Sequence, residues 1–495
     1  TPDETLASAH SSQSQTRLLL PMSPAAMPSS GHQGSGAPLL VFVPSAGMGH
    51  LLPFTRFITA VATMGVDISV VTALPTVSQA EAEHFAALFA AFPAIRRIDF
   101  NLLPLDDATL AGTDPFVLRW ESLRRSAHLL GPLIAGATPR ASAVVTDVTL
   151  ASQVIPIAKN ELKLPCHVLF TSGATVLAFL AYFPVYLDGA NADHLVGDVD
   201  VPGVRRLPSD YCPRVLRNPD GLFTKQFIVN GREIAKADGI LVNTFDALEP
   251  EALTALRGGK VVPGFPPVFA VGPLKSTPSA RRSDKADSPI AWLGEQPARS
   301  VVYVAFGNCN AAALKQIREI GAGLEASGCR FLWVVKTTVV DRDDTAELRD
   351  VLGDGFLERV QGRGLVTKEW VDQEAVLQHP AVGLYLSHCG WNSVTESAAY
   401  GVPMLAWPTL GDHKIIATVI RSGGFGAWME HWSWQEEEEE GSVVSGAEIG
   451  EKVKEVMGDE AVSASAAKMR EEATKAVAPG GSSYRSMHEF LAMLS

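Results

Sequence analysis

The stretch Val382-Gly383-Leu384-Tyr385-Leu386-Ser387-His388-Cys389-Gly390-Trp391-Asn392-Ser393-Val394-Thr395-Glu396-Ser397-Ala398-Ala399 changes period at its middle. Val382 to Leu386 is a short apolar run of the kind buried in a sheet, whereas Ser393 to Ala399 reads as helix. The residues between them, with Gly390 at their centre, have room only for a tight turn. A buried strand that feeds a helix in this way is half of a βα unit, so the stretch predicts a parallel sheet with helices packed on its faces.

Working outward, the same alternation continues on both sides. Val301-Phe306, Phe331-Val335, Leu365-Val366 and Met404-Ala406 read as further strands, with helices over Ala311-Ala326 and Ile415-Arg421. The first half of the chain repeats the pattern, with strands at Leu39-Val43, Asp67-Thr72, Ala143-Val145, His167-Phe170, Ile240-Val242 and Val268-Gly272. Helices are expected there over Pro115-Ala135, Ser152-Leu162 and Phe223-Ala237. Lys275 to Pro289 is Ser, Pro, Arg, Lys and Asp with little to bury, which marks a linker. The expected fold is therefore α/β, two Rossmann-like doubly wound domains over 37–274 and 290–495 that face each other across a cleft, joined by the linker 275–289. Residues 1–36 read as a disordered leader, the acidic run Glu436-Glu440 as a solvated loop, and Gly446 to Ser495 as surface helices.

Composition narrows the function. The 495 residues are 46% hydrophobic and 19% charged, with 42 Gly and 32 Pro, enough to fill large cores separated by many turns. A net charge of −13 disfavours nucleic acid and anionic membrane surfaces as partners. The five cysteines are scattered without a C-x-x-C pair, which fits a reducing, cytoplasmic setting. Gly173 to Leu187 is apolar but contains Pro184 and falls short of the roughly 20 residues that span a bilayer, so it predicts a buried helix and no membrane insertion.

The turn Ser387 to Ser393 is where chemistry is expected. A helix N-terminus offers free N–H groups and the positive end of a dipole, Gly390 admits close approach, and His388, Asn392 and Ser393 add donors, so a phosphate or pyrophosphate is the natural ligand. Trp370 can stack on a nucleobase, and Glu396, one turn into the helix, can accept from two ribose hydroxyls. In the first half, Pro44-Ser45-Ala46-Gly47-Met48-Gly49-His50 places a histidine at the start of a helix beside the cleft. Asp147, at the end of a neighbouring strand, is positioned to orient it.

Trp370 to His413 as a whole resembles the signature box of the plant family 1 UDP-sugar-dependent glycosyltransferases, and the resemblance runs from Leu39 to the C-terminus. It implies the two-domain GT-B architecture with a UDP-sugar as co-substrate and no cofactor or metal. It also assigns roles: Trp370 stacks on uracil, Gln373 and Glu396 hold the ribose, and His388, Asn392 and Ser393 hold the phosphates. Trp391, Asp412 and His413 then lie near the sugar, with Thr171 and Ser172 as hydroxyl contacts, and His50 with Asp147 as the base. Two positions depart from the family pattern. His413 stands where Gln is usual, which leaves glucose, galactose or a pentose open as the donor sugar, and Asn308 stands where Ser usually meets a phosphate. The loops at Val43-His50, Phe245-Pro250 and Lys336-Asp344, together with Asp147 followed by Val148, are similar to those of grass flavonoid C-glycosyltransferases. That similarity implies 2-hydroxyflavanone or dihydrochalcone acceptors, with an O-glycosyltransferase or a degenerate sugar-nucleotide binder as the alternatives. Phe116-Arg125, Phe179-Tyr186 and Phe223-Gly231 are the expected walls of the acceptor pocket.

Overall fold

Every residue of Leu39–Val43, Ala143–Asp147 and Cys166–Phe170 is buried, which is why these runs are apolar without alternation: parallel strands are covered on both faces. The computed structural model describes residues 38–494 apart from 77, 106–114, 277–287, 308–310, 339–344 and 433–442. The leader, most of the linker, Asn308 and the acidic run Glu436-Glu440 lie outside the described residues.

The first domain contains β1 (Leu39–Val43), β2 (Asp67–Leu74), β3 (Arg96–Asn101), β4 (Ala143–Asp147), β5 (Cys166–Phe170), a hairpin of β6 (Val199–Val201) and β7 (Arg205–Leu207), β8 (Gly239–Val242) and β9 (Val268–Ala270). Apart from the hairpin they form one sheet in the order 3-2-1-4-5-8-9, with every pairing parallel. The second domain holds β10 (Val301–Ala305), β11 (Arg330–Val334), β12 (Gly364–Thr367), β13 (Val382–Ser387), β14 (Met404–Ala406) and β15 (Gly426–Trp428), in the order 12-11-10-13-14-15 and again all parallel. Both sheets are doubly wound, as the alternation predicts. In each, the chain reverses direction between two central strands, β1 and β4 in the first and β10 and β13 in the second. The crevice that opens there is where such sheets bind ligands. Register brings the paired strand ends level, Val43 with Thr146 and Ala305 with Ser387.

The apolar segment after β5 forms the helix Ala174–Ala190 inside the protein. Its first turn is closed by the buried carboxylate of Glu249, which accepts from the N–H groups of Ala174 and Thr175 at 2.7 and 2.8 Å.

The tail departs from the expectation of surface helices belonging to the second half. Its final helix, Ser482–Ala492, crosses back and packs on the first sheet. Phe490 is fully buried there, its ring centroid 5.9 Å from Phe57, 6.1 Å from Phe269 and 5.0 Å from His167. Four amphipathic positions, Ser483, Ser486, Met487 and Phe490, form its inner face.

This contact has two measurable consequences. Phe490→Ala opens a cavity in a rigid core and should lower the unfolding free energy by about 3–5 kcal/mol, read from denaturant melts. His167 has no hydrogen-bond partner for either ring nitrogen among the described residues, and burial lowers its pKa to about 4. The unfolded chain therefore takes up a proton that the folded state refuses. His167 stabilises fully above its ordinary value of 6.5, and that stability drains as pH falls toward 4, by up to ~3 kcal/mol. In His167→Phe that share of the acid sensitivity should vanish, and an unaltered pH profile would contradict it.

Candidate active site

At the first crevice, β1 ends at Val43 and the chain turns through Gly47, whose φ of 91° suits glycine. The Gly47 N–H donates to Oε1 of the buried Glu81, and the helix Met48–Ala62 starts at once. His50 thus stands in the first helical turn, with 24% of its side chain exposed. Asp147, the last residue of β4, is wholly buried. Its Oδ1 accepts from the Thr149 N–H at 2.8 Å and from the Thr149 hydroxyl at 2.6 Å, which turns Oδ2 toward His50 Nδ1 at 2.9 Å. Thr171 Oγ1, just past β5, lies 3.0 Å from the same nitrogen. Burial opposes the imidazolium, but the charge and hydrogen bond of Asp147, with Asp412 and Glu81 beyond it, outweigh burial and hold the His50 pKa above the ordinary histidine value. With Nδ1–H committed to Asp147, the basic lone pair of the neutral ring is on Nε2.

At the second crevice, β13 ends at Ser387 and Cys389 adopts a left-handed φ of 71°. The helix Trp391–Tyr400 then begins from Gly390 with no side-chain cap. His388 lies between two glycine loops: a Cβ on Gly390 would sit 2.5 Å from its Nε2, and one on Gly307 would sit 2.8 Å away. Burial and the neighbouring His413 lower its pKa to about 3, so the ring is neutral. His413 lies edge-on to it, with centroids 5.1 Å apart. Burial holds His413 at about 4, and its Nδ1 faces Thr409 Oγ1 at 3.2 Å and the Leu410 N–H at 3.4 Å. Nδ1 therefore accepts, and the proton is on Nε2.

Gln373, Ser393 and Glu396 form one network. The amide nitrogen of Gln373 donates to Ser393 Oγ at 3.1 Å and to Glu396 Oε2 at 2.7 Å, while its oxygen accepts from the Tyr385 hydroxyl at 2.7 Å. The two crevices touch. Ser172 Oγ donates to Asp412 at 2.6 Å, and Asn392 Nδ2 donates to the Gly49 carbonyl at 3.4 Å.

Most of the residues singled out from sequence therefore surround one cleft. Trp370, three residues past β12, is 64% exposed. Trp391 is buried: its indole N–H donates to the Asn243 carbonyl at 2.9 Å, and its ring fills the space beside Gly173, next to Ser172. That side chain joins the two domains. Of the expected acceptor walls, Phe179 and Phe183 are core residues with no exposure, and Phe223 is the exposed end of the aromatic row they begin. Sequence reading missed Thr149, Glu81, Tyr385 and Arg56. Arg56 left a signal, a charge inside the apolar run Phe54-Thr55-Arg56-Phe57-Ile58 that can be buried only against a counter-charge. Among the described residues, no group of three or more His, Cys, Asp and Glu is arranged to hold a metal, and no helix is long and apolar enough to cross a membrane.

Two doubly wound domains with facing crevices, a His–Asp pair on one and a glycine-lined helix N-terminus with Gln and Glu on the other, define a GT-B glycosyltransferase. The family described as UDP-glucoronosyl and UDP-glucosyl transferase matches residues 265–436. A UDP-glycosyltransferase CGT of Oryza sativa subsp. indica is 57% identical over 466 residues, covering 94% of this chain and 98% of its own. UDP-glycosyltransferase 708A6 of Zea mays is 52% identical, with 93% and 97% covered. The solved structure of LpCGTa in complex with UDP matches with a TM-score of 0.82 at 44% identity, over 93% of this chain and 100% of that one. This chain belongs to the UDP-glycosyltransferases.

Proposed function

We propose that this enzyme transfers a sugar from UDP, with inversion, to a ring carbon of a flavonoid-type phenol such as a 2-hydroxyflavanone or dihydrochalcone. The observation that carries the reading is the His50–Asp147 pair, 2.9 Å apart, with the histidine still partly open to the cleft opposite the second crevice. Its Nε2 takes the proton of an acceptor phenol, and the buried carboxylate stabilises the imidazolium. The phenolate charge spreads onto the ortho carbon, which attacks the anomeric carbon as the bond to the UDP oxygen breaks. The ring then loses its proton at that carbon while the oxygen regains one from the imidazolium, so the net products are C-glycoside, UDP and one proton.

In the same reading the donor is held by the second domain. Trp370 stacks on the base, Gln373 and Glu396 take the ribose diol, and Asn392, Ser393 and neutral His388 donate to the diphosphate. Charge that grows on the leaving diphosphate meets the uncapped helix N-terminus at Gly390. Asp412, bridged to Ser172, and His413 take sugar hydroxyls, and Thr171 adds its hydroxyl beside the base. The reaction belongs to plant secondary metabolism in the cytoplasm.

The test is turnover of phloretin and a 2-hydroxyflavanone with UDP-glucose, UDP-galactose, UDP-arabinose and UDP-xylose, followed by hot acid. An acid-stable product is expected. An acid-labile one assigns O-transfer, and UDP binding without product assigns a degenerate binder. His50→Ala should lower kcat/KM by about 10²–10⁴-fold. Because the His50 pKa is raised, the acid limb of kcat/KM should lie above pH 6.5, and Asp147→Asn should move it downward as well as slow the enzyme.

Donor choice follows from His413. A neutral ring with its proton on Nε2 offers the sugar one donor, where Gln would offer both a donor and an acceptor. His413→Gln should raise kcat/KM for UDP-glucose relative to UDP-galactose and the pentosyl donors by about tenfold, the worth of one hydrogen bond of ~1 kcal/mol or a little more. Parallel donor kinetics read it.

A further inference from the structure

Six residues after His50 on the same helix, or about 9 Å along its axis, Arg56 is 4% exposed yet leaves its own domain. Its Nε donates to Ser276 Oγ at 2.9 Å, where the chain leaves the first sheet. Its Nη2 reaches into the second domain, to Glu374 Oε2 at 3.2 Å and, in a close ion pair, to Glu396 Oε1. Glu374 is otherwise satisfied, with its Oε2 accepting from the Ser276 N–H and its Oε1 from the Tyr400 hydroxyl. Glu396 has fewer partners among the described residues: Arg56 occupies one lone pair of Oε1 and Gln373 one of Oε2, which leaves one acceptor site on each oxygen.

We propose that Arg56 is a positioning residue for the nucleoside end of the donor. It fixes the rotation of the Glu396 carboxylate so that its two remaining lone pairs meet the ribose diol. This rests on the reading that Glu396 binds the ribose. Two carboxylates reach the same nitrogen, so removing Arg56 sets Glu374 and Glu396 against each other and frees Glu396 to rotate. A structural role by itself does not account for this residue. Nη1 is buried with no partner among the described residues, a cost that an apolar side chain in the same space would avoid. The guanidinium comes from the helix that carries His50 in its first turn.

The experiment measures kcat and KM of the full chain with UDP-glucose and with its 2′-deoxyribose analogue, for the wild type, Arg56→Met and Arg56→Lys, with thermal midpoints alongside. The wild type should prefer the ribose donor by about tenfold or more in kcat/KM. In Arg56→Met the preference should collapse to within about threefold and the KM for UDP-glucose should rise about tenfold. The acceptor KM and kcat at saturating donor should stay within about threefold. Arg56→Lys restores the charge but not the planar fork, and should recover part of the donor KM while regaining little of the preference. If Arg56→Met does not fold, Arg56→Lys carries the test. Full ribose preference in the variant that folds, whatever its melting point, overturns the proposal. A wild type that does not distinguish the two donors removes the ribose role of Glu396 and the proposal with it.

Discussion

In a parallel sheet wound in both directions from its centre, the helices beside the reversal point diverge to opposite faces and leave a crevice at the strand ends. Both sheets of this protein obey that constraint, at β1/β4 and at β10/β13. Everything that reads as chemistry follows from it. His50 and Asp147 meet because one follows β1 and the other ends β4. His388 lies between Gly307 and Gly390 because those loops leave β10 and β13. The His–Asp pair stands at one crevice and the glycine-lined turn at the other, and the two meet through Ser172 with Asp412 and Gly49 with Asn392.

The electrostatics separate the histidines by burial and partner. His50 is paired with a carboxylate whose charge and hydrogen bond outweigh burial, so its pKa is raised. His388 and His413 are buried beside each other with no carboxylate in hydrogen-bond contact among the described residues, so their pKa values fall and the rings stay neutral. Three imidazoles within one cleft thus do different work, and the difference lies in what faces them.

Much of this could be read in the chain before folding. The buried strands of both sheets are apolar runs with sharp ends, and His50, Asp147 and the turn at Gly390 stand at those ends as the sequence places them. β3 was not legible, because Arg96, Arg97, Asp99 and Asn101 hide the one inward residue of an edge strand, Phe100. The return of the last helix was not legible either, since an amphipathic helix announces that it has a partner but not which sheet it covers. The partner of Trp391 was hidden for a related reason: its place in the motif is local, whereas the carbonyl it binds, at Asn243, lies 148 residues away. Arg56 was visible as an anomaly, but its counter-charges are far off in sequence at Glu374 and Glu396.

The chain passes from the first sheet to the second after β9 and returns before Ser482, so two strands of covalent chain cross between the domains. A single crossing would act as a ball joint. Two crossings confine any rotation of one sheet against the other to the line that joins them, a restraint that no side chain has to supply.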